Sequence, residues 1–211
     1  MEQNKKEVKM PIKALIFDIG GVLMFYDHRI AARKMSKIIK KDAKKIFEIM
    51  NSNRRGFTRS YELGASRKTY WKIMARQLNV DSIPAKKFDE IWITIFKPNR
   101  KIFSLAKKLK RKKYKIALIS NIGSLHQKYL EKKYKLNKIF PVIIYSYKIG
   151  VRKPSPKIYK VALRKLNVKP DEVVFIDDRP ENAKGAEKLG MHGIYFKNNK
   201  QAIREINKLL K

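Results

Sequence analysis

Asp18 closes the apolar run IFD at 16–18, Ser120 and Asn121 close LISN at 118–121, and Asp177 and Asp178 close VVFIDD at 173–178. Lys153 stands in the loop KIGVRKPSP at 148–156. Carboxylates brought to one place repel one another unless a cation stands between them. A set of hard oxygen ligands selects a hard ion, and the expected occupant is Mg²⁺. Ser120, Asn121 and Lys153 are donors that suit phosphate oxygens. A carboxylate, a magnesium ion and a phosphate clamp together make a phosphoryl-transfer site, in which Asp18 would attack phosphorus and form an aspartyl-phosphate. Each residue alone has a plainer reading: Asp18 as a turn residue or cap, Ser120-Asn121 as a strand-to-turn dipeptide, Asp177-Asp178 as the cap of the next helix. Their joint placement at the ends of strand-like runs carries the argument.

The elements that must position them follow from hydrophobic period. IKALIFD (12–18), KIALIS (115–120), VIIYS (142–146) and EVVFID (172–177) are continuous apolar runs of strand length, as in a buried parallel sheet, and GIYF (193–196) is a shorter fifth. Between them Ile102, Leu105, Ala106 and Leu109 share one helical face, as do Ile158, Tyr159, Ala162, Leu163 and Leu166. Ser155 is read as the cap of the second of these helices, with Pro156 at its first position. Strands alternating with helices predict an α/β fold with a doubly wound parallel sheet, whose ligands bind outside the carboxyl ends of the strands. Residues 25–97 break the alternation and read as helices only. Ala31, Met35, Ile38 and Ile39 form one stripe, and Ala43, Ile46, Phe47 and Met50 another after a cap at Asp42. Tyr70, Met74 and Leu78 mark a third helix and AKKFDEIWITIF a fourth. The expected division is residues 1–24 and 98–211 for the core and 25–97 for an inserted helical cap, sited to cover the pocket and choose the substrate.

The order of motifs, IFDIGGVL, LISN, GVRKPSPKIY and VVFIDD, resembles the haloacid dehalogenase-like (HAD) hydrolase superfamily over about residues 12–198. The longer stretches YKIGVRKPSPKIY and IDDRPENAKGAEKLGMHGIYF resemble the branch with sugar-phosphate phosphatases and the N-terminal phosphatase domain of soluble epoxide hydrolases. The resemblance implies a HAD-like Rossmannoid core with a cap of the first type. It also implies a Mg²⁺-dependent phosphatase acting on a small phosphorylated metabolite. It implies Asp18 as nucleophile and metal ligand, Gly20 as a metal ligand through its carbonyl, and Ser120 and Asn121 as the phosphate-binding pair. It implies Lys153 as the residue that holds nucleophile and phosphate together, Asp178 as the principal acidic metal ligand and Asp177 as a direct or water-mediated one. Asn182 is read either as holding a metal-site carboxylate or as facing its own helix.

The sequence departs from the family at residue 20, where most of its phosphatases carry a second aspartate that protonates the leaving oxygen and then activates water. Such help is worth about 10²–10⁴ in rate. Three outcomes follow from Gly20: an undemanding leaving group such as an anomeric or acyl phosphate, a substitute acid with Asp27 the best candidate, or a scaffold that binds phosphorylated ligands with little turnover. A dehalogenase reading fits poorly, since halide displacement needs no magnesium.

Composition bounds the rest. Lys and Arg total 52 against 18 Asp and Glu, a net charge of +34. The basic residues are spread along the chain at helical spacing between apolar ones, as on solvated faces, so a general lysine bias is favoured over a nucleic-acid partner. Either way the field draws small anions inward. The chain has no cysteine, which removes disulfides and thiolate metal sites, and its three histidines show no zinc spacing. No apolar run reaches membrane length, and the N-terminal MEQNKKEVKMPIK lacks a secretory pattern. A cytoplasmic location is the expectation; oligomeric state is not readable.

Overall fold

The computed structural model describes residues 11–52 and 57–211. Residues 1–10 of the basic N-terminal stretch lie outside the described residues. In chain order the strands are β1 (Ala14–Phe17), β2 (Met24–Tyr26), β3 (Phe96–Pro98), β4 (Lys115–Ser120), β5 (Val142–Tyr145), β6 (Val173–Asp177) and β7 (His192–Tyr195). Helices α1 (His28–Ile39), α2 (Ala43–Ser52), α3 (Phe57–Tyr61), α4 (Arg67–Leu78) and α5 (Ala85–Trp92) fall between β2 and β3. Helix α6 (Arg100–Arg111) follows β3, and α7 (Ser124–Tyr134) with α8 (Leu136–Ile139) follows β4. Then come α9 (Ser146–Ile149) and α10 (Pro156–Leu166), α11 (Pro180–Glu187) after β6, and α12 (Asn199–Leu209).

The main sheet has the order β5-β4-β1-β6-β7 and every pair in it is parallel. Its strands are apolar on both faces because both are covered. Leu15, Phe17, Leu118, Val174 and Ile176 pack with Ile102, Ala106 and Leu109 of α6 and with Ala202 and Ile206 of α12. The alternating set Ala14, Ile16, Ala117, Ile119 and Phe175 packs with Ile158, Tyr159, Ala162 and Leu163 of α10 and Ala186 of α11. The doubly wound α/β expectation therefore holds. Helix α10 buries all five residues of its stripe. Pro156 is its first residue, but the Ser155 side chain makes no capping bond, so the helix start rests on the fixed proline torsion.

Helices α1 to α5 enclose an apolar cluster of their own, including Ala31, Met35, Ile46, Met50, Tyr70, Trp71, Met74 and Phe88. Their starts are written locally. Asp27 accepts from the Arg29 N–H at 2.9 Å, Asp42 from that of Lys45 at 3.1 Å and Ser66 from that of Lys68 at 3.1 Å. One expectation needs correcting, since the stretch 25–97 is not helical throughout. It is entered and left through β2 and β3, which pair antiparallel from Met24 opposite Pro98 to Tyr26 opposite Phe96. Three-residue strands are too short to show a period of two against the helical pattern beside them. Among the described residues no helix is long and apolar enough to cross a membrane.

Candidate active site

Strand β1 is central, and the chain leaves it for β4 on one side and returns to β6 on the other. That reversal opens a crevice at the carboxyl ends of these strands. The register sets Phe17 beside both Leu118 and Ile176, so the residues that follow in each strand meet at one level. Asp18, Ser120, Asn121, Lys153 and Asp178 line a cavity of about 120 Å³ there, together with Gly20 and Asn182.

Lys153 is the hub. Its Nζ lies 2.8 Å from Asp18 Oδ1 and 2.6 Å from Asp177 Oδ2, and it donates to the Ile119 carbonyl at 3.1 Å. Both ion pairs are buried. Asp177 is in turn fixed by the Arg179 N–H and by Asn182 Nδ2, each donating to Oδ1 at 2.9 Å. Asn182 therefore holds a carboxylate of the cluster, one of its two readings. Asp18 also accepts from the Ile19 N–H at 2.6 Å.

One carboxylate oxygen from each of Asp18, Asp177 and Asp178 lies within 4.8 Å of the others. The Asp18 carboxyl is raised to about 8, the net of burial, which pushes it up most, Lys153, which pulls it down, and Asp177 and Asp178, which push it up. Burial, then Asp177, raises Asp178 to about 6. Burial works against the Lys153 ammonium, but Asp177 and Asp18 outweigh it and hold its pKa above the ordinary value. One lysine does not neutralise three crowded carboxylates. This donor set, all oxygen and short of positive charge, fits a hard divalent cation such as Mg²⁺. Asp177 spends both oxygens on Lys153, Arg179 and Asn182, which leaves Asp18 and Asp178 as the more open ligands.

The backbone is shaped to this cluster. Gly21 has φ +79, and a Cβ there would overlap the Asp178 carboxylate, so only glycine lets the loop after β1 pass so close. At Gly20 a Cβ would meet Tyr26 Cε1 at 3.2 Å. An acid on residue 20 would press its Cβ against the Tyr26 ring, which must give by a few tenths of an ångström to admit it.

Two expected site residues have other engagements. The Asn121 amide is turned to the backbone of Lys153, donating to its carbonyl at 3.1 Å and accepting from its N–H at 2.9 Å. It lines the cavity, but its side chain anchors the lysine loop. Asp27 caps α1 and pairs with Arg29 Nε at 2.9 Å, and the Arg29 hydrogen bond holds its carboxyl below the ordinary range. It is not among the described residues that line the cavity. The structure therefore does not bring Asp27 to the other candidates.

The insert supplies the opposite wall, through residues that sequence reasoning did not assign to the site. Tyr61 OH accepts from the Leu125 N–H at 3.0 Å, and a Cβ on Gly123 would collide with the Tyr61 ring. Glu62 Oε2 lies 2.6 Å from Arg152, beside Lys153, while its carbonyl accepts from Ser146 Oγ at 2.6 Å. Burial raises the Glu62 carboxyl despite Arg152. Trp92 and His126 meet edge to face at 4.6 Å. Arg152 had a signal, its place next to Lys153. Helix α3 is too short to show a stripe, so Tyr61 and Glu62 had none.

The chain matches the haloacid dehalogenase-like hydrolase family over residues 12–190. It is 34% identical over 115 residues to bifunctional epoxide hydrolase 2 of Mus musculus, covering 53% of this chain and 21% of that protein. It thus spans about a fifth of that relative's length. It is 26% identical over 148 residues to a glyceraldehyde 3-phosphate phosphatase of Methanopyrus kandleri, covering 66% of this chain and 63% of that one. Among solved structures it is similar to a HAD family enzyme of Bacteroides thetaiotaomicron in complex with magnesium and inorganic phosphate. The TM-score is 0.72 at 26% identity, over 85% of this chain and 91% of that one.

Proposed function

Since the chain belongs to the haloacid dehalogenase-like hydrolases, we propose that its cleft hydrolyses the phosphate ester of a small metabolite through an aspartyl-phosphate on Asp18, with Mg²⁺ as cofactor. The observation that carries this reading is the buried chain Asp18–Lys153–Asp177, with Asp178 within reach of both carboxylates. The similar Bacteroides enzyme, bound to magnesium and inorganic phosphate, supports it. So does the phosphatase of Methanopyrus kandleri.

In this reading Asp18 Oδ attacks phosphorus. Lys153 orients that carboxylate and offsets charge on the phosphoryl oxygens. Ser120 Oγ and the backbone N–H groups after β4 receive those oxygens, with the Asn121 side chain positioning the lysine loop. Asp18, Asp178 and the Gly20 carbonyl would hold the metal, with Asp177 in support. Bound magnesium supplies further neutralisation of the phosphoryl group. The helical insert closes over the leaving group and excludes water.

The test is phosphate release by the purified chain from a broad panel of phosphometabolites, with Mg²⁺ and after its removal by chelation. Release that depends on Mg²⁺ and is lost in Asp18→Asn, with the circular dichroism spectrum unchanged, is the expected result. No release from any member, with phosphate esters still bound, would favour a weak phospholigand-binding scaffold instead. That second reading draws on the missing acid at Gly20.

A further inference from the structure

Among the described residues three carboxyls line the cavity, those of Asp18, Asp178 and Glu62. Asp18 and Asp178 follow the ends of β1 and β6, and in the reading above they serve phosphorus and metal. Glu62 has a different origin. It follows α3 of the insert and reaches the cavity from the wall opposite the strand ends.

That side matters to the chemistry. The group that attacks phosphorus and the group that leaves it stand roughly in line. With Asp18 bonded to phosphorus, the water that frees the phosphate must come from the far face, where the leaving group has been. The insert walls that face, and Glu62 is the carboxyl it brings there.

The setting of Glu62 suits a proton acceptor. Arg152 holds it through one oxygen, with Nε and Nη2 both 2.6 Å from Oε2. Its carbonyl accepts from Ser146 Oγ at 2.6 Å, so the backbone is pinned as well. Among the described residues Oε1 accepts no hydrogen bond, nor is it one of the buried atoms left dry without a partner. The side chain is 17% exposed, whereas that of Asp177 is sealed at 0%. One oxygen is clamped and the other is open. Burial raises the affinity of this carboxyl for a proton, and the charge of Lys153 reaches it, which sets it within the field of the cluster.

We propose that Glu62 is the general base of the second half-reaction, taking a proton on Oε1 from the water that attacks the aspartyl-phosphate. The inference rests on the phosphatase reading above. The water oxygen bonds to phosphorus as the bond from phosphorus to Asp18 Oδ breaks, its electron pair returning to Asp18. One water proton passes to Glu62 Oε1 and the other stays on inorganic phosphate. Asp18 is again a carboxylate, and Glu62 gives its proton up to solvent. Arg152 keeps the carboxylate in place throughout.

The experiment follows hydrolysis of 4-nitrophenyl phosphate by the full chain with Mg²⁺. For this ester kcat/KM reads formation of the aspartyl-phosphate, and kcat reads its cleavage once that step is slow. Glu62→Gln should lower kcat by about 10²–10⁴-fold, the size of acid–base help. KM should fall with it, so that kcat/KM stays within about threefold of the unaltered chain. Nitrophenolate should appear in a burst stoichiometric with enzyme, and acid-quenched samples should carry phosphate on most of the chain by intact mass. The double variant Glu62→Gln/Arg152→Gln leaves no buried charge unpaired, and it carries the same test where the single variant does not fold. A kcat/KM that falls as far as kcat, with no phosphorylated enzyme, would mean that the ion pair only holds the insert in place, and overturns the inference. So does a kcat within about threefold of the unaltered chain. In both cases phosphate release by the unaltered chain leaves the phosphatase reading standing. No release by that chain from this ester or the wider panel removes the reading, and the inference with it.

Discussion

Replacing Lys153 by methionine would leave Asp18 and Asp177 buried without the ammonium that lies within 2.8 Å of both. Removing one member of a buried pair costs about 3–5 kcal/mol. We expect Lys153→Met to lower stability by roughly that amount at pH 7, measured by urea unfolding without metal. The loss should grow from pH 7 toward pH 9, because the Asp18 carboxyl, raised to about 8 chiefly by burial, gives up its proton over that range. Gly21→Ala acts through the backbone. It must leave φ +79 and displace the Asp178 carboxylate, so Mg²⁺ affinity should fall about 10- to 100-fold, as for other groups that orient a metal ligand; calorimetric titration reads this directly. The convergence of Asp18, Ser120, Lys153, Asp177 and Asp178 was legible in the sequence because each stands at a strand end or in the loop beside one, and parallel register does the rest. The engagements of Asn121 and Asp27 were not. An amide turned onto a backbone and a carboxylate drawn into a cap depend on loop torsions that no residue type encodes.

At the scale of elements, apolar runs foretold the five strands of the main sheet, and stripes foretold α1, α2, α4 and α10, because burial on a known face is what those patterns record. The β2–β3 ribbon and α3 escaped, being three and five residues long. The seam between insert and core runs through His126 of α7, whose ring meets Trp92 at 4.6 Å and Phe96 at 5.0 Å. Burial, reinforced by nearby His28, depresses the His126 pKa from 6.5 to about 3. Between those values the unfolded chain binds a proton that the folded chain refuses. This contribution to stability is therefore complete above about pH 6.5 and is lost as the pH falls toward 3. His126→Phe keeps a ring against both neighbours, and should reduce the slope of unfolding free energy against pH by close to one proton between pH 4 and 6, as read from denaturant curves.

The cluster in the cleft is acidic, yet over the whole molecule the net charge is +34. A field of that sign gathers anionic esters from solution and is screened within about 10 Å at 0.1 M salt. The kcat/KM for a phosphate ester should accordingly fall several-fold between about 0.02 and 0.3 M salt while kcat stays level, a split that steady-state assays at fixed Mg²⁺ resolve. Charge of this kind was plain from composition, but composition gives no arrangement, which is why it named no partner. The β2–β3 ribbon has a different reach. Paired strands lie about 4.8 Å apart, so the chain leaves the core at Met24 and comes back at Pro98 to almost the same point. To the core, five helices are topologically equivalent to a tight turn. The insert behaves as a cassette on a hairpin stem. Lineages could exchange it for a shorter or longer one, and a designer could graft another, without re-registering any strand that carries an aspartate.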